Sequence, residues 1–129
     1  MTTLQQVSYA AGPTDVPLLE DTIGAALRRT GGEHADGEAL VEVLTGRRWT
    51  WAELDAAVDD LATSLLGAGL CAGDRLGIWA PNSADWTLTQ FATARIGVVL
   101  VTINPAYRTS ELEFVLRQSG CRWLVAAPS

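Results

Sequence analysis

Asn104, Tyr107 and Arg108 place an amide, a phenol and a guanidinium within five residues. Such a set can meet a carboxylate or a phosphate. It follows directly on an apolar run, Val98 to Ile103, that is rich in β-branched residues and too short for an ordinary helix. A run of this kind reads as a central strand buried on both faces of a parallel sheet. Pro105 removes a ladder donor and ends it. Ser110 and Glu113 then supply a capping box for a new helix. The three polar side chains therefore fall at a strand's carboxyl end, where open α/β sheets bind ligands. A plainer account fits the same residues: Asn104-Pro105 shapes the turn, Tyr107 packs, and Arg108 pairs with Glu111 or a helix. The plainer account is favoured, so the three stand as weak candidates for cofactor binding. No residue is assigned to catalysis or to a metal.

Other groups with chemical potential carry less. Asp55, Asp59 and Asp60 offer paired carboxylates, yet they lie off the apolar stripe of a helix and read as its solvated face. His34 stands alone in a polar loop and reads as exposed. The run Gly67 to Gly73 superficially suggests a nucleotide-binding loop. A dinucleotide fingerprint must follow a strand and open a helix, whereas this run ends a helix, and its spacing is off by one; it reads as a helix cap and turn. Cys71 and Cys121 fit no metal-ligand spacing and read as free, part-buried thiols of a reducing compartment. All nine cationic residues are arginine and none is lysine, which excludes Schiff-base chemistry and a Walker-type lysine.

The elements that must position these groups follow in order. Residues 1–17 form an extended lead-in arm, and residues 18–129 form the folded part. Asp21 or Thr22 caps a short helix with Ile23, Ala26, Leu27 and Thr30 on one side, ended by Gly31-Gly32. Glu38 to Leu44 and Arg48 to Thr50 make a hairpin turning at Thr45-Gly46-Arg47. Thr50-Trp51-Ala52-Glu53 is a capping box opening a helix with Leu54, Ala57, Val58, Leu61, Leu65 and Ala68 inward. Leu76 to Ala80 reads as a buried strand, followed by a helix capped by Asn82 or Ser83 and closed at Gly97. After the Val98–Ile103 strand, a helix with Leu112, Val115 and Leu116 inward ends at Gly120, and Arg122 to Ala126 is a further strand. Strand, helix, strand, helix, strand with short connections dictates a mostly parallel sheet flanked by helices, with the hairpin packed beside it.

The chain has 129 residues, 48% hydrophobic and 19% charged, enough for the core of one domain or part of one. Its net charge of −6 argues against a nucleic-acid surface. The opening residues lack a signal-peptide core, and the longest apolar run is too short to span ~30 Å of hydrocarbon. A cytoplasmic protein is expected.

Thr50-Trp51-Ala52-Glu53-Leu54, Gly73-Asp74-Arg75-Leu76-Gly77-Ile78-Trp79-Ala80-Pro81-Asn82-Ser83 and Ile103-Asn104-Pro105-Ala106-Tyr107-Arg108 carry a resemblance. In order and spacing they are similar to the N-terminal portion of fatty acyl-CoA synthetases, a branch of the adenylate-forming, AMP-binding enzymes. The likeness runs from Pro17 to Ala126. It implies part of the large N-terminal domain of that fold, with ATP, Mg²⁺, CoA and a fatty acid as cofactors and substrates of the full-length enzyme. The family's Gly/Ser/Thr-rich phosphate loop with lysine, its aromatic-Gly-x-Thr-Glu segment, its ribose-binding aspartate and its catalytic lysine have no counterpart here. The chain is therefore expected to bind none of these cofactors strongly and to be inactive alone. Its expected partners are the remainder of the synthetase or a second copy meeting exposed apolar surface, and weak stability or oligomerisation is expected. Trp79 and Trp86 read as core aromatics that can border an acyl pocket. From a different class, the same residues fit a non-catalytic α/β module that binds a partner protein or completes a split enzyme.

Overall fold

The computed structural model describes residues 10–13 and 15–127. Most of the expected lead-in arm, residues 1–9 and 14, lies outside the described residues. Helix α1, Ile23–Glu33, opens at Thr22, whose hydroxyl accepts from the Ala25 amide at 3.2 Å. It does not stop at Gly31-Gly32 but runs on to Glu33, with His34 as an exposed cap. The reason is packing. A Cβ on Gly31 would meet Asp55 Cβ at 3.3 Å, and one on Gly24 would meet Arg95 Cα at 3.1 Å. These glycines let neighbouring helices approach closely rather than end this one. The buried face is accordingly Gly24, Leu27 and Gly31, and Ile23, expected inward, is exposed.

Strands β1, Glu38–Glu42, and β2, Arg47–Thr50, pair antiparallel with Glu42 opposite Arg47. The turn, residues 43–46, starts two residues earlier and ends one residue earlier than expected, and Gly46 takes the positive φ of 74°. Helix α2, Trp51–Gly67, has the capping box its sequence announces: Thr50 Oγ1 accepts from the Glu53 amide at 3.2 Å, and Glu53 Oε2 from the Thr50 amide at 2.8 Å. Leu54, Val58 and Ala62 are its buried face, and they form one core with Leu27 and Ala92. After α2, Gly69 and Gly73 turn the chain with φ of 103° and 88°, and the Asp74 carboxylate accepts from the Cys71 amide at 2.8 Å. The glycine run is thus a cap and turn. Cys71 is exposed rather than part-buried, Cys121 is half-buried, and both are free.

The aspartates of α2 depart from expectation. Asp55 and Asp59 hold Arg95, whose side chain is only 10% exposed. Arg95 Nη1 donates to Asp59 at 2.6 Å and to the Asp55 carbonyl at 3.2 Å, while Nη2 donates to the Asp55 carboxylate. Arg28 of α1 reaches Asp59 at 2.8 Å. Only Asp60 remains on a solvated face. The network joins α1, α2 and α3, Ala84–Arg95, at their shared seam. The Arg95 hydrogen bond holds the Asp59 carboxyl below its usual range.

Strands β3, Arg75–Trp79, β4, Val99–Ile103, and β5, Trp123–Ala126, form a parallel sheet in the order β4-β3-β5. The central strand among the described residues is therefore β3, and β4 lies at an edge, contrary to the reading of its apolar run. Burial follows position: Leu76, Gly77 and Ile78 of β3 are buried, while Val99 of β4 is half exposed. One face of the sheet, with Leu76, Leu100, Trp123 and Val125, packs toward Leu65, Leu70 and Ile96. The other face carries α4, Thr109–Ser119. There Gly77 leaves room for the tips of Ile103, Leu124 and Leu116, which a Cβ would meet at 2.9, 3.2 and 3.4 Å. Leu112, Val115 and Leu116 face inward as expected but are only half-buried, and α4 has no fully buried residue. Its start also differs. Glu111 Oε2 accepts from the Arg108 amide at 2.8 Å, so the helix begins before Ser110, and Glu113 pairs with Arg117 at 2.6 Å. No described helix is long and apolar enough to cross a membrane.

Candidate functional site

The carboxyl ends of β3, β4 and β5 come together at one edge, as a parallel sheet requires. Each strand then enters a proline-containing or small-residue corner: Ala80–Ser83 after β3 and Asn104–Arg108 after β4, with Ala127 after β5. Proline ends the ladder in both corners, but the helix starts differ: a hydroxyl caps α3, whereas α4 has no side-chain cap at Arg108 and Glu111 accepts from the Arg108 amide instead. Ser83 Oγ accepts from the Trp86 amide at 3.1 Å and caps α3.

The acceptors of Asn104 are committed to its own corner, while its side chain is exposed with its amide N–H donors still available. Its side-chain Oδ1 accepts from the Ala106 amide at 2.9 Å, and its carbonyl accepts from the Tyr107 amide at 3.0 Å. The same carbonyl accepts from Trp79 Nε1 at 3.1 Å, which ties the ends of β3 and β4 together. Tyr107 is half-buried and lines an open recess of about 390 Å³ with Ser110, Glu111, Phe114, Val115 and Gln118. Arg108 is exposed and lines neither recess described here, its main-chain amide alone engaging Glu111. The structure thus brings the three candidates onto one loop but does not converge them on one point.

A second hollow, about 260 Å³, lies between the corner after β3 and the end of β5. Ile78, Pro81, Trp86, Val125 and Ala126 give it apolar walls, and Ser83 and Asp85 give it a hydroxyl and a carboxylate. Ser83 and Asp85 escaped the reading of the sequence as site residues, because both look like ordinary helix-start residues. The signal that could have found them is the repetition of one strand-to-helix corner at both positions. Trp86, read as a core aromatic, is half-buried and lines this hollow; Trp79 is half-buried but does not line it, its Nε1 being bonded to the Asn104 carbonyl. Among the described residues no group of three or more His, Cys, Asp or Glu side chains gathers as metal ligands would. The lining of this hollow does not fit a triphosphate either, since it presents a carboxylate and no cation. What this edge can do chemically is shape an apolar wall and offer hydroxyls, the Asp85 carboxylate and the exposed Arg108 guanidinium.

The family described as AMP-binding enzyme matches residues 27–129. The medium-chain acyl-CoA ligase ACSF2 of Macaca fascicularis, named mitochondrial, is 48% identical over 119 residues, 92% of this chain and 19% of that ligase. Inhibitor-bound N-terminal domain of FACL13 from Mycobacterium tuberculosis superposes with a TM-score of 0.79 at 30% identity, over 81% of this chain and 26% of that one. The N-terminal subdomain of Klebsiella oxytoca NpsA, in complex with anthranilyl-AMSN, superposes with a TM-score of 0.77 at 25% identity, covering 81% of this chain and 27% of that one. The chain thus spans about a fifth of the length of the ligase it matches. Its α/β fold, with a parallel sheet flanked by helices and a hairpin, is that of the N-terminal domain of adenylate-forming enzymes, and with a match over most of its length, this chain belongs to the AMP-binding enzyme family.

Proposed function

We propose that this chain is the N-terminal segment of an ATP-dependent fatty acyl-CoA synthetase, which converts a fatty acid, ATP and CoA to acyl-CoA, AMP and pyrophosphate. The observation that carries the reading is the 48% identity to a medium-chain acyl-CoA ligase across 92% of the chain. In this reading ATP, Mg²⁺ and CoA are held by later parts of the enzyme. The carboxyl edge of the sheet supplies walls: Trp86 and Pro81 beside β3, and Tyr107 and Phe114 beside α4. All three polar candidates keep groups that can meet a ligand carried by the remainder: the Tyr107 phenol, the exposed Arg108 guanidinium and the side-chain N–H donors of Asn104, whose Oδ1 is held by its turn. Alone, the chain is inactive.

Two free cysteines support residence in a reducing compartment, and the cytoplasm is the one proposed. Imaging of the tagged full-length product tests that; accumulation in an organelle contradicts it. The functional reading is tested by the coding sequence beyond Ser129 together with ATP–pyrophosphate exchange. An open frame encoding a glycine-rich phosphate loop with lysine is expected downstream, and the 129-residue chain is expected to give no exchange with a panel of fatty acids. A stop codon followed by an unrelated gene contradicts the first point, and exchange above blank contradicts the second.

A further inference from the structure

Helix α3 begins at Ala84, and the first amides of any helix need partners from outside it. Ser83 supplies one for Trp86. The Ala84 amide belongs to a buried residue and has no access to bulk water as a substitute. Its partner comes from a different element: Glu42 Oε1, at the end of β1, accepts it at 2.9 Å. The other carboxylate oxygen of Glu42 is also committed. It takes the Thr45 hydroxyl and the Arg47 guanidinium, the latter at 3.0 Å, and Arg47 continues to Asp85 at 3.4 Å. The hairpin turn, its carboxylate and the first residues of α3 therefore form one connected set. A negative charge at this place also meets the positive end of the α3 dipole.

Apolar burial does not hold the hairpin tip in place, since Val43 and Leu44 are 86% and 96% exposed. What joins the tip to α3 is polar. Immediately before Ala84 lie Pro81 and Ser83, and just after it lie Asp85 and Trp86, all lining the hollow at the sheet's carboxyl edge. We propose that Glu42 is a positioning residue: a helix cap delivered from the hairpin that fixes the Pro81–Ser83 corner, and through it the Ser83 and Trp86 wall of that hollow. This goes beyond the synthetase reading and does not depend on it, because it concerns how the chain holds its own surface.

The test is amide hydrogen exchange at neutral pH, resolved by residue, on the whole chain and on the variants Glu42→Ala and Glu42→Gln. Loss of a charge-assisted hydrogen bond should speed exchange at Ala84 by about tenfold or more in the alanine variant. Glutamine keeps an accepting oxygen without the charge and should give a smaller increase, about threefold. Amides of Leu76 to Ile78 in β3 should keep their rates in both. Should the alanine variant fail to fold, the glutamine variant carries the same comparison. Unchanged exchange at Ala84 overturns the proposal, and so does an equal acceleration at Ala84 and across β3, which would mean general destabilisation rather than a local cap.

Discussion

Helices α1 and α4 are both eleven residues long, yet α1 buries Gly24, Leu27 and Gly31 and α4 buries nothing completely. The difference lies in their partners. Helix α1 nests between α2 and α3, helped by two glycines and by Arg95, whose guanidinium reaches from α3 into the carboxylates of α2. Helix α4 has only the sheet beneath it, and around it Val99, Phe114 and Leu124 remain 50%, 62% and 43% exposed. An amphipathic helix buries what its surroundings cover, whatever its own pattern offers. The three-helix side holds a buried core within this chain, although Ile23 and Leu66 on its outer surface stay 58% and 51% exposed. The α4 side presents apolar surface of the kind that a neighbouring part of a protein covers.

Substitutions sharpen the contrast. Leu54→Ala, in the three-helix core, should cost about 3 kcal/mol, whereas Leu116→Ala on α4 should cost about 1 kcal/mol because its site is already half open. Equal costs in denaturant titrations would dissolve the distinction between the two sides. Arg95→Ala comes next, at about 2–3 kcal/mol. That is at or below the low end for a buried ion pair, since Asp59 is half exposed and regains water. A cost within experimental error would mean the network is ornamental.

Acid should act through the same polar contacts. The Thr45 hydroxyl, the Ala84 amide and Arg47 lower the Glu42 carboxyl from 4.5 to about 2. A carboxyl held low in the folded state stabilises fully above its unfolded value. That contribution disappears as pH falls from about 4.5 toward about 2. Asp59, lowered by its bond to Arg95, adds a loss of the same sign. Thermal midpoints measured across this window should fall, and Glu42→Gln should flatten part of the slope. An unchanged slope in that variant would remove Glu42 from the account. Smallest of all, Arg108→Ala should change stability by no more than about 0.5 kcal/mol, as its side chain is exposed and lines neither recess.

Much of this fold was legible from local signals. The Thr50–Glu53 box and the stripe of α2 are contained within one helix, and the alternation of strands and helices dictates a parallel sheet. What stayed hidden depends on residues distant in the chain. Nothing near Asp55 and Asp59 announces Arg95, 40 and 36 residues away. Gly31 looks like a helix stop until Asp55 is seen against it. The apolar run of β4 looks central because strand order is set by tertiary packing, which put β3 between its neighbours. At the candidate site the loop was found, but its geometry was not. Asn104 Oδ1 is held by its own turn, while the hollow beside β3 depends on β5 arriving more than forty residues later.

The most direct measurement replaces the matched 119 residues of the medium-chain ligase with this chain and follows acyl-CoA formation from medium-chain acids. If this chain is the N-terminal segment of an acyl-CoA synthetase, the chimera folds and forms acyl-CoA at a rate within about tenfold of the parent. A chimera that folds with the parent's stability yet makes no acyl-CoA contradicts the account.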